Sequence, residues 1–294
     1  MRIISFILIL TVVMIGSGTM AQEPSTTAPA TQPTTAPTTA QALIEEQVVA
    51  EITKLGCTVK REGEQPNGPV VEVTFASKSS MADIEAGLEH LNSLSQLQEL
   101  SLGSTKVNDA GLEHLSRLKK LQKLWLNSTE VTDAGLEHLK DCNQLSHLCL
   151  DRTKVTDAGL AHLKGIDQLL FLTLTDTKIT DAGLEYVKGL KKLRWLDLNH
   201  TIVTDAGLEQ LKDMNELIVM HLNDTKITDA GLEHLKGVNQ LIVLDLRDNK
   251  ITDAGLEHLK GMSKLRTLNL GGTTVTDAGM KKLQDVLPDC KIRR

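Results

Sequence analysis

Side chains that could hold a metal ion recur at a fixed spacing in the second half of the chain. One row, with a spacing of 24 residues, holds Asp197, His221 and Asp245. A second row with the same spacing holds His200, Asp224 and Asp248. Imidazole and carboxylate groups are ligands of divalent transition metals, although a flat surface surrounds an ion poorly. The alternative interpretation is a polar rim on a binding surface, and we expect no metal.

A second candidate for chemistry is the alternating sequence of His147, Cys149 and Asp151. In a β-strand these side chains point to the same side of the sheet, and a cysteine beside a histidine suggests a nucleophile with its base. Nothing identifiable supplies an oxyanion hole, and an open sheet surface does not exclude water. We therefore expect that the chain is not an enzyme and needs no cofactor.

The spacing of these residues comes from an internal repeat. The pair Ala-Gly occurs nine times between residues 86 and 279, always 24 residues apart. The segment TDAGLEHLKG at 228–237 returns unchanged at 252–261. Between the copies lies the pattern L-x-x-L-x-L-x-x-T, for example Leu121, Leu124, Leu126 and Thr129. A constant period of this length predicts a solenoid.

Each part of the repeat has a structural interpretation. Alternation along a strand points the leucines of motif positions four and six inward and positions three and five outward. Thr-Asp begins a helix because either side chain can cap its free N–H groups and Asp complements the helix dipole. The apolar residues of AGL and EHL give that helix one apolar stripe. A single strand and helix cannot bury these faces, so the repeats must stack.

The motif resembles the 24-residue leucine-rich repeats L-x-x-L-x-L-x-x-T-x-V-T-D-A-G-L of exported bacterial proteins, and less closely the cysteine-containing repeats of F-box substrate adaptors. The resemblance covers residues 82–294. It departs from the motif at IEAGL and NDAGL in the first two copies, at Asn249 for Thr and at Met280 for Leu. It implies an α/β fold, a leucine-rich-repeat solenoid or horseshoe with a parallel β-sheet on the concave face, α-helices on the convex face and partner binding on the sheet. No F-box segment precedes the repeats, so we expect no role in ubiquitin transfer.

The N-terminus has the pattern of an export signal. Arg2 precedes an apolar run from Ile3 to Ile15, whose length of about 13 residues is below the roughly 20 that span a bilayer. We expect residues 1–21 to be a signal peptide cleaved after Ala21, with a retained anchor as the alternative. Residues 22–40 are rich in Pro, Thr and Ala and are expected to be a disordered linker.

The remaining residues, 41–294, are expected to form one repeat domain with closed ends. Residues 41–81 are interpreted as an N-terminal cap made of a helix and a β-hairpin that turns at Pro66 to Gly68. The repeats occupy 82–285. Residues 286–294 are interpreted as a C-terminal cap with a short basic edge strand, which discourages pairing with other chains.

Charge and cysteine content restrict the class of partner. The chain has 32 Lys+Arg against 38 Asp+Glu and a net charge of −6, so no positive excess is available for phosphates or anionic lipid. We expect no nucleic-acid partner, no membrane insertion after signal cleavage, and a location that is secreted, periplasmic or in the cell envelope. The four cysteines are expected to be free thiols, with stability coming from the stacked repeats.

The outward strand positions define the candidate binding site. Four apolar residues at position three, Phe171 to Val243, would form a stripe roughly 14 Å long that is open to water unless something covers it. Tryptophan is enriched at binding hot spots. The partner-binding residues that we expect are Trp125, His147, Cys149, Phe171, Trp195, Asp197, Val219, His221, Val243 and Asp245.

These observations favour a binding module whose concave sheet recognises a protein or peptide partner of unknown identity. A structural cell-envelope scaffold that acts by self-association is the alternative. An enzyme or a metal-dependent site on the concave face is the third hypothesis. The sequence does not determine the oligomeric state.

Overall fold

A computed structural model describes residues 39–64 and 68–294. The expected signal peptide, most of the expected linker, and Pro66 and Asn67 of the expected turn lie outside the described residues. Within the described part, the strands form one sheet of 11 strands in chain order. The first two strands pair antiparallel, and each later neighbouring pair is parallel.

Each repeat contributes one strand of three residues, because positions three to five are the only ones that pair on both sides. The strands are β1 (Thr58–Arg61), β2 (Val70–Thr74), β3 (Glu99–Ser101), β4 (Lys123–Trp125), β5 (His147–Cys149), β6 (Phe171–Thr173), β7 (Trp195–Asp197), β8 (Val219–His221), β9 (Val243–Asp245), β10 (Thr267–Asn269) and β11 (Lys291–Arg293).

The helices of the repeats are short and lie on the side of the sheet that holds the leucine core. The α-helices are α1 (Thr39–Lys54), α2 (Met81–Leu91), α3 (Asp109–Glu113), α4 (Asp133–Glu137), α5 (Asp157–Leu160), α6 (Asp181–Val187), α7 (Asp205–Leu211), α8 (Asp229–His234), α9 (Asp253–Leu256) and α10 (Asp277–Val286). Four of them continue as 3₁₀ turns, at His114–Arg117, Ala161–Leu163, Leu235–Gly237 and Glu257–Leu259. No described helix has the length and apolar content that a membrane crossing requires.

The predicted phase of the leucines is confirmed. Leu124 and Leu126 of β4 and its following loop have no exposed surface, and the same holds for Val131 before the next helix. The threonine at position nine closes the loop, since Thr129 Oγ1 donates to the Leu126 carbonyl at 2.7 Å. Where Asn249 replaces threonine, its Nδ2 donates to the Leu222 carbonyl of the preceding repeat at 2.6 Å. Side-chain hydrogen bonds therefore add to the backbone bonds between repeats that continue past the strand, such as Leu126 N to the Cys149 carbonyl at 2.9 Å.

The aspartate of the Thr-Asp motif bonds to the following repeat rather than to its own helix. Asp205 Oδ1 accepts from Thr228 N at 2.8 Å, and its Oδ2 accepts from Thr228 Oγ1 at 2.6 Å. The same link occurs from Asp109 to Thr132, Asp133 to Thr156, Asp157 to Thr180, Asp181 to Thr204, Asp229 to Thr252 and Asp253 to Thr276. We call this series the Asp–Thr ladder. In most repeats the helix cap is the threonine, as in Thr228, whose Oγ1 accepts from Ala230 N at 3.4 Å; the side chain of Thr156 makes no such bond.

The ladder also explains the glycine of Ala-Gly. A Cβ atom on Gly207 would lie 2.4 Å from Asp181 Oδ1, too close for any real contact. At the C-terminal end the ladder has no further threonine, and Arg294 Nη1 donates to Asp277 Oδ1 at 3.1 Å instead. At the other end α1 packs Val48 and Ile52 against the first repeats.

Candidate partner-binding surface

The outward residues of the strands form a continuous row on the concave face, opposite the leucine core. Parallel pairing in register places Phe171 beside Trp195, Trp195 beside Val219 and Val219 beside Val243. The position-five residues pair in the same way, from Trp125 next to Cys149 onward. The structure therefore brings the sequence-predicted site residues together on one face.

Aromatic side chains at the middle of this face contact one another. The centroid of the Phe171 ring lies 6.1 Å from Trp125, 5.6 Å from His147 and 5.3 Å from Trp195. Trp195 in turn meets His221 edge-on at 5.2 Å. These separations lie within the range of favourable aromatic pairs. We call Trp125, His147, Phe171, Trp195 and His221 the ring cluster.

The expectation of an apolar stripe open to water is wrong. Phe171 exposes 4%, Trp195 5% and Val219 2% of its surface, and only Val243 at the end of the stripe is half-buried. Part of the reason is that the large rings of neighbouring strands lie against each other, whereas the prediction treated each side chain separately. The ring cluster is thus packed, and Trp125, His147 and His221 are its half-buried members.

Polar side chains at the C-terminal ends of the strands form a hydrogen-bonded network. Asp197 is 5% exposed, and its Oδ2 lies 3.1 Å from His221 Nδ1. Its Oδ1 accepts from Thr175 Oγ1 at 2.8 Å and from Asn199 N at 3.0 Å. A buried carboxylate of this kind is stable only when it is hydrogen-bonded, and here the loops after β6 and β7 supply the donors.

The two candidate metal rows do not converge on one point. Asp245 is bound by the guanidinium of Arg247, with Nη2 at 2.7 Å from Oδ2, and is separate from the Asp197–His221 pair. In the second row only His200 and Asp224 meet, with Nδ1 and Oδ2 3.1 Å apart. Among the described residues, no three His, Cys, Asp or Glu side chains are placed to hold a metal ion. For Asp245, the positive charge that a metal ion would have supplied comes from Arg247.

Cys149 does not form a pair with His147. Thr173 Oγ1 donates to Cys149 Sγ at 3.0 Å, and the Sγ lies 3.4 Å from Asp151 Oδ2. Burial, together with the Asp151 carboxylate, raises the pKa of Cys149 to about 12. Burial lowers the pKa of His147 to about 4, and its Nδ1 lies 2.8 Å from Ser146 Oγ. At neutral pH the thiol is protonated, so it lacks the thiolate that a nucleophile needs. All four cysteines of the chain are free and buried.

Sequence reasoning missed the contribution of motif position seven. Its side chains or backbone groups bond to position five, as Thr175 does to Asp197, or to the same position one repeat earlier. Asn223 N, for example, donates to Asn199 Oδ1 at 2.7 Å. The signal was present, because positions three, five and seven continue one alternation. The predicted partner-binding residues occupy only positions three and five, and position five is the last residue of each strand.

The comparisons with known proteins agree with this architecture. The family model described as "Leucine rich repeat" matches residues 215–275. Internalin C2 from Listeria monocytogenes str. 4b F2365 has a TM-score of 0.58 and 21% identity to this chain, and the alignment covers 80% of this chain and 96% of the internalin chain. The internalin InlF from the same strain has a TM-score of 0.48 and 20% identity, over 86% of this chain and 87% of the other. No curated protein matches the sequence.

At this level of identity the likeness concerns the fold. The likeness to internalin C2, the matched family model and the parallel sheet of Leu-ladder strands agree with one another. Together they show that the chain has the solenoid fold of leucine-rich repeats, with a match to that family's sequence model over residues 215–275.

Proposed function

We propose that this protein is an exported binding module that recognises a protein or peptide partner through its concave sheet. The leucine-rich-repeat fold supports a role in protein interaction at a general level. Specific recognition and export go further than the fold. They are supported by the arrangement of residues on the concave face and by the N-terminal sequence.

One observation carries the proposal, the contrast between a uniform scaffold and a varied face. From residues 109 to 279 each repeat keeps Asp-Ala-Gly without exception. Position three of the strands instead reads Glu99, Lys123, His147, Phe171, Trp195, Val219, Val243 and Thr267. Position five reads Ser101, Trp125, Cys149, Thr173, Asp197, His221, Asp245 and Asn269. Folding of a solenoid requires the uniform positions, so the varied positions that keep some exposed surface are available for recognition, among them Lys123, Trp125, His147, His221 and Val243.

The same face gives little support to catalysis. Cys149 stays protonated because its pKa is about 12, and His147 stays neutral because its pKa is about 4. Within the described part of the chain, no hydroxyl or thiol that could act as a nucleophile is hydrogen-bonded to His221 of the Asp197–His221 pair. We therefore propose that the surface binds without reacting.

Affinity capture with matched variants tests the proposal. The concave variant replaces the half-buried Trp125 and Val243 with Arg, which places two charges on the sheet without cutting into the leucine core. The control replaces Tyr186 and Ile202 with Arg; both are exposed, at 43% and 48%, and lie off the concave face. We expect the wild type and the control to capture the same protein from an envelope extract. The concave variant should bind the purified partner at least ~10-fold more weakly, as for loss of a hot spot.

The outcomes separate the competing hypotheses. Equal capture by all three baits contradicts recognition through the concave sheet. Capture of only the chain's own copies supports the self-associating scaffold. Thermal unfolding of both variants checks that a loss of binding does not come from a loss of folding.

Export is tested separately, because it depends on residues 1–21. The full chain and a chain without these residues are expressed in a Gram-negative host, and the cytoplasmic and envelope fractions are compared by mass spectrometry. We expect the full chain outside the cytoplasm with Gln22 as its first residue. An uncleaved chain in the membrane fraction supports the retained anchor, and a chain confined to the cytoplasm contradicts export.

A further inference from the structure

We propose that the partner presents a basic segment to the concave surface, in which Lys or Arg side chains stand beside large apolar ones. This inference rests on the proposed function and specifies the chemistry of the partner. It is carried by the charges at the C-terminal ends of the strands, by one buried acceptor without a donor, and by the apolar residues next to them.

Carboxylates outnumber cations along this edge of the sheet. We call the aspartates at positions five, seven and eight the acidic edge: Asp151, Asp176, Asp197, Asp224, Asp245 and Asp248. Two arginines lie among them. Arg152 Nε is 3.1 Å from Asp176 Oδ2, and Arg247 Nη2 is 2.7 Å from Asp245 Oδ2. The acidic edge therefore keeps an excess of negative charge after its own ion pairs have formed.

Among the described residues, the remaining four aspartates make no hydrogen bond or ion pair with an arginine or lysine, although Arg247 interacts with two of them, Asp197 and Asp248, at longer range. Asp197 and Asp224 face His221 and His200. Asp151 bonds to the backbone N–H of Thr175 at 2.9 Å, and Asp248 is exposed. Burial and the nearby Asp197 carboxylate act in the direction of raising the pKa of Asp151. A cation placed against this edge would relieve the repulsion between like charges.

A separate observation points to a missing donor at the same place. Asn223 is 9% exposed, and its Oδ1 is buried and accepts no hydrogen bond from the described part of the chain. Its Nδ2 lies 3.5 Å from Nε2 of His200 at position eight, so the side chain lies beside the acidic edge. Buried acceptors are normally satisfied. An ammonium, guanidinium or amide N–H of a partner is the group that would satisfy this one.

The apolar part of the partner is expected to lie on the strand positions next to this edge. Trp125 and Val243 are half-buried and offer apolar surface at the two ends of the ring cluster. Position three is separated from position eight by at most about 17 Å, the length of five extended residues, because the backbone turns at position eight, as at Asp224 and Asp248. A segment of about five or six extended residues reaches from the apolar row to the acidic edge.

The intrinsic fluorescence of the protein reports on this surface, because the chain has two tryptophans and both belong to the ring cluster. The probe is a tryptophan-free peptide with the sequence Lys-Leu-Ser repeated three times. Two control peptides, the glutamate twin and the serine twin, carry Glu or Ser in place of each Lys. We expect the lysine peptide to bind at least ~10-fold more tightly than the glutamate twin, and binding to weaken between about 50 and about 300 mM salt because exposed charges are screened.

Matched variants locate the effect. Asp224→Asn with Asp248→Asn removes two exposed charges from the acidic edge, and is expected to weaken the lysine peptide about fivefold. Glu233→Gln with Glu257→Gln removes two exposed charges from the helices and is expected to change nothing. Asn223→Leu removes the acceptor without a donor. We expect it to weaken binding while the melting temperature stays equal or rises, because no described donor to Oδ1 is lost.

Three results overturn the inference: no binding of the lysine peptide at ~1 mM, the lowest affinity of specific interest; equal binding of the glutamate twin; or an equal effect of the two double variants. The capture experiment distinguishes a failure of the basic-segment proposal from a failure of the proposed function. If the captured partner is lost with Trp125→Arg and Val243→Arg but retained with Asp224→Asn and Asp248→Asn, the concave sheet binds a partner of different chemistry.

Discussion

Single residues in this protein act across the boundary between repeats. The Asp205 carboxylate accepts hydrogen bonds from the backbone N–H and the hydroxyl of Thr228 in the next repeat, at 2.8 and 2.6 Å. Such hydrogen bonds to a charged acceptor are among the stronger ones in proteins. In the last full link, hydrogen bonds from Thr276 lower the pKa of Asp253. The most repeated polar residue of the motif therefore joins repeats.

Asp205→Ala is expected to lower the free energy of unfolding by about 2 kcal/mol, because both bonds to Thr228 are lost and its N–H is left without that acceptor. The matched control is Asp277→Ala in the final repeat, whose carboxylate is 89% exposed and, among the described residues, bonds only to Arg294. We expect a cost below about 0.5 kcal/mol there, as for a surface pair. Urea unfolding followed by circular dichroism measures both. Equal costs would contradict the role of the Asp–Thr ladder.

His147 predicts a pH dependence of stability. Burial lowers its pKa from 6.5 to about 4. Between these values the unfolded chain binds a proton that the folded chain does not, so stability falls as the pH drops through this window. Asp151, whose pKa is raised, acts with the opposite sign as the pH rises above its ordinary value of 3.8. His147→Gln should therefore flatten the decrease between pH 6.5 and about 4, and unchanged slopes in urea titrations would refute this assignment.

At the scale of elements, the Ala-Gly pair allows each helix to approach the preceding one. A Cβ on Gly207 would meet Asp181 Oδ1 at 2.4 Å, Val203 Cγ1 at 2.9 Å and Leu184 Cδ1 at 3.0 Å. Helix stacking and the Asp–Thr ladder thus both require a residue without a Cβ atom at this position. The glycine is needed for space, and its conformation is ordinary helix.

Gly207→Ala is expected to destabilise the protein by about 2 kcal/mol, since a methyl group is forced into a packed contact. Gly261→Ala serves as the control, because nothing lies within 4 Å of its Cβ position. We expect the control to stay within about 0.5 kcal/mol of the wild type. Thermal unfolding of the two variants side by side decides this point, and a similar loss in both would contradict the role of the restricted space at Gly207, because helix propensity favours Ala over Gly.

Local periodicity explains which elements could be predicted. The inward leucines, such as Leu124 and Leu126, and the register of Phe171 beside Trp195 follow from a period of 24 without insertions. The partner of Asp205 could not be predicted, because its own helix offered a nearer set of donors. The burial of Phe171 and Trp195 was missed because it depends on contacts between side chains of different strands. The aspartates of the candidate site were found, whereas Asn223 lies just beyond the strand.

For the whole molecule, stability depends on the closed ends of the stack. The first repeat packs Ile84, Leu88 and Leu91 in a core that includes Phe75 and Ile52 from the N-terminal elements. Each repeat contacts only its neighbours, so an uncovered end exposes the face of a whole repeat. The end strand β11 pairs with β10 and covers the last repeat in the same manner.

A chain that begins at Met81 is expected to aggregate or to bind a hydrophobic dye, because Ile84 and Leu88 lose their cover. The control begins at residue 39 and keeps α1, β1 and β2. Size-exclusion chromatography and dye fluorescence compare the two chains. A monodisperse shorter chain with the same melting temperature would show that the N-terminal elements are dispensable for folding.

The uniform link between repeats has a consequence for how such a surface can change over evolutionary time. Because Asp133 and Asp229 make the same contacts to the threonine 23 residues ahead, a loss or duplication of one 24-residue unit leaves each junction chemically intact. What changes is which outward side chains lie next to each other on the two strands that meet at the new junction. Removing the unit that holds Cys149 would bring Trp125 directly against Thr173, a rearranged recognition face obtained without a single point substitution.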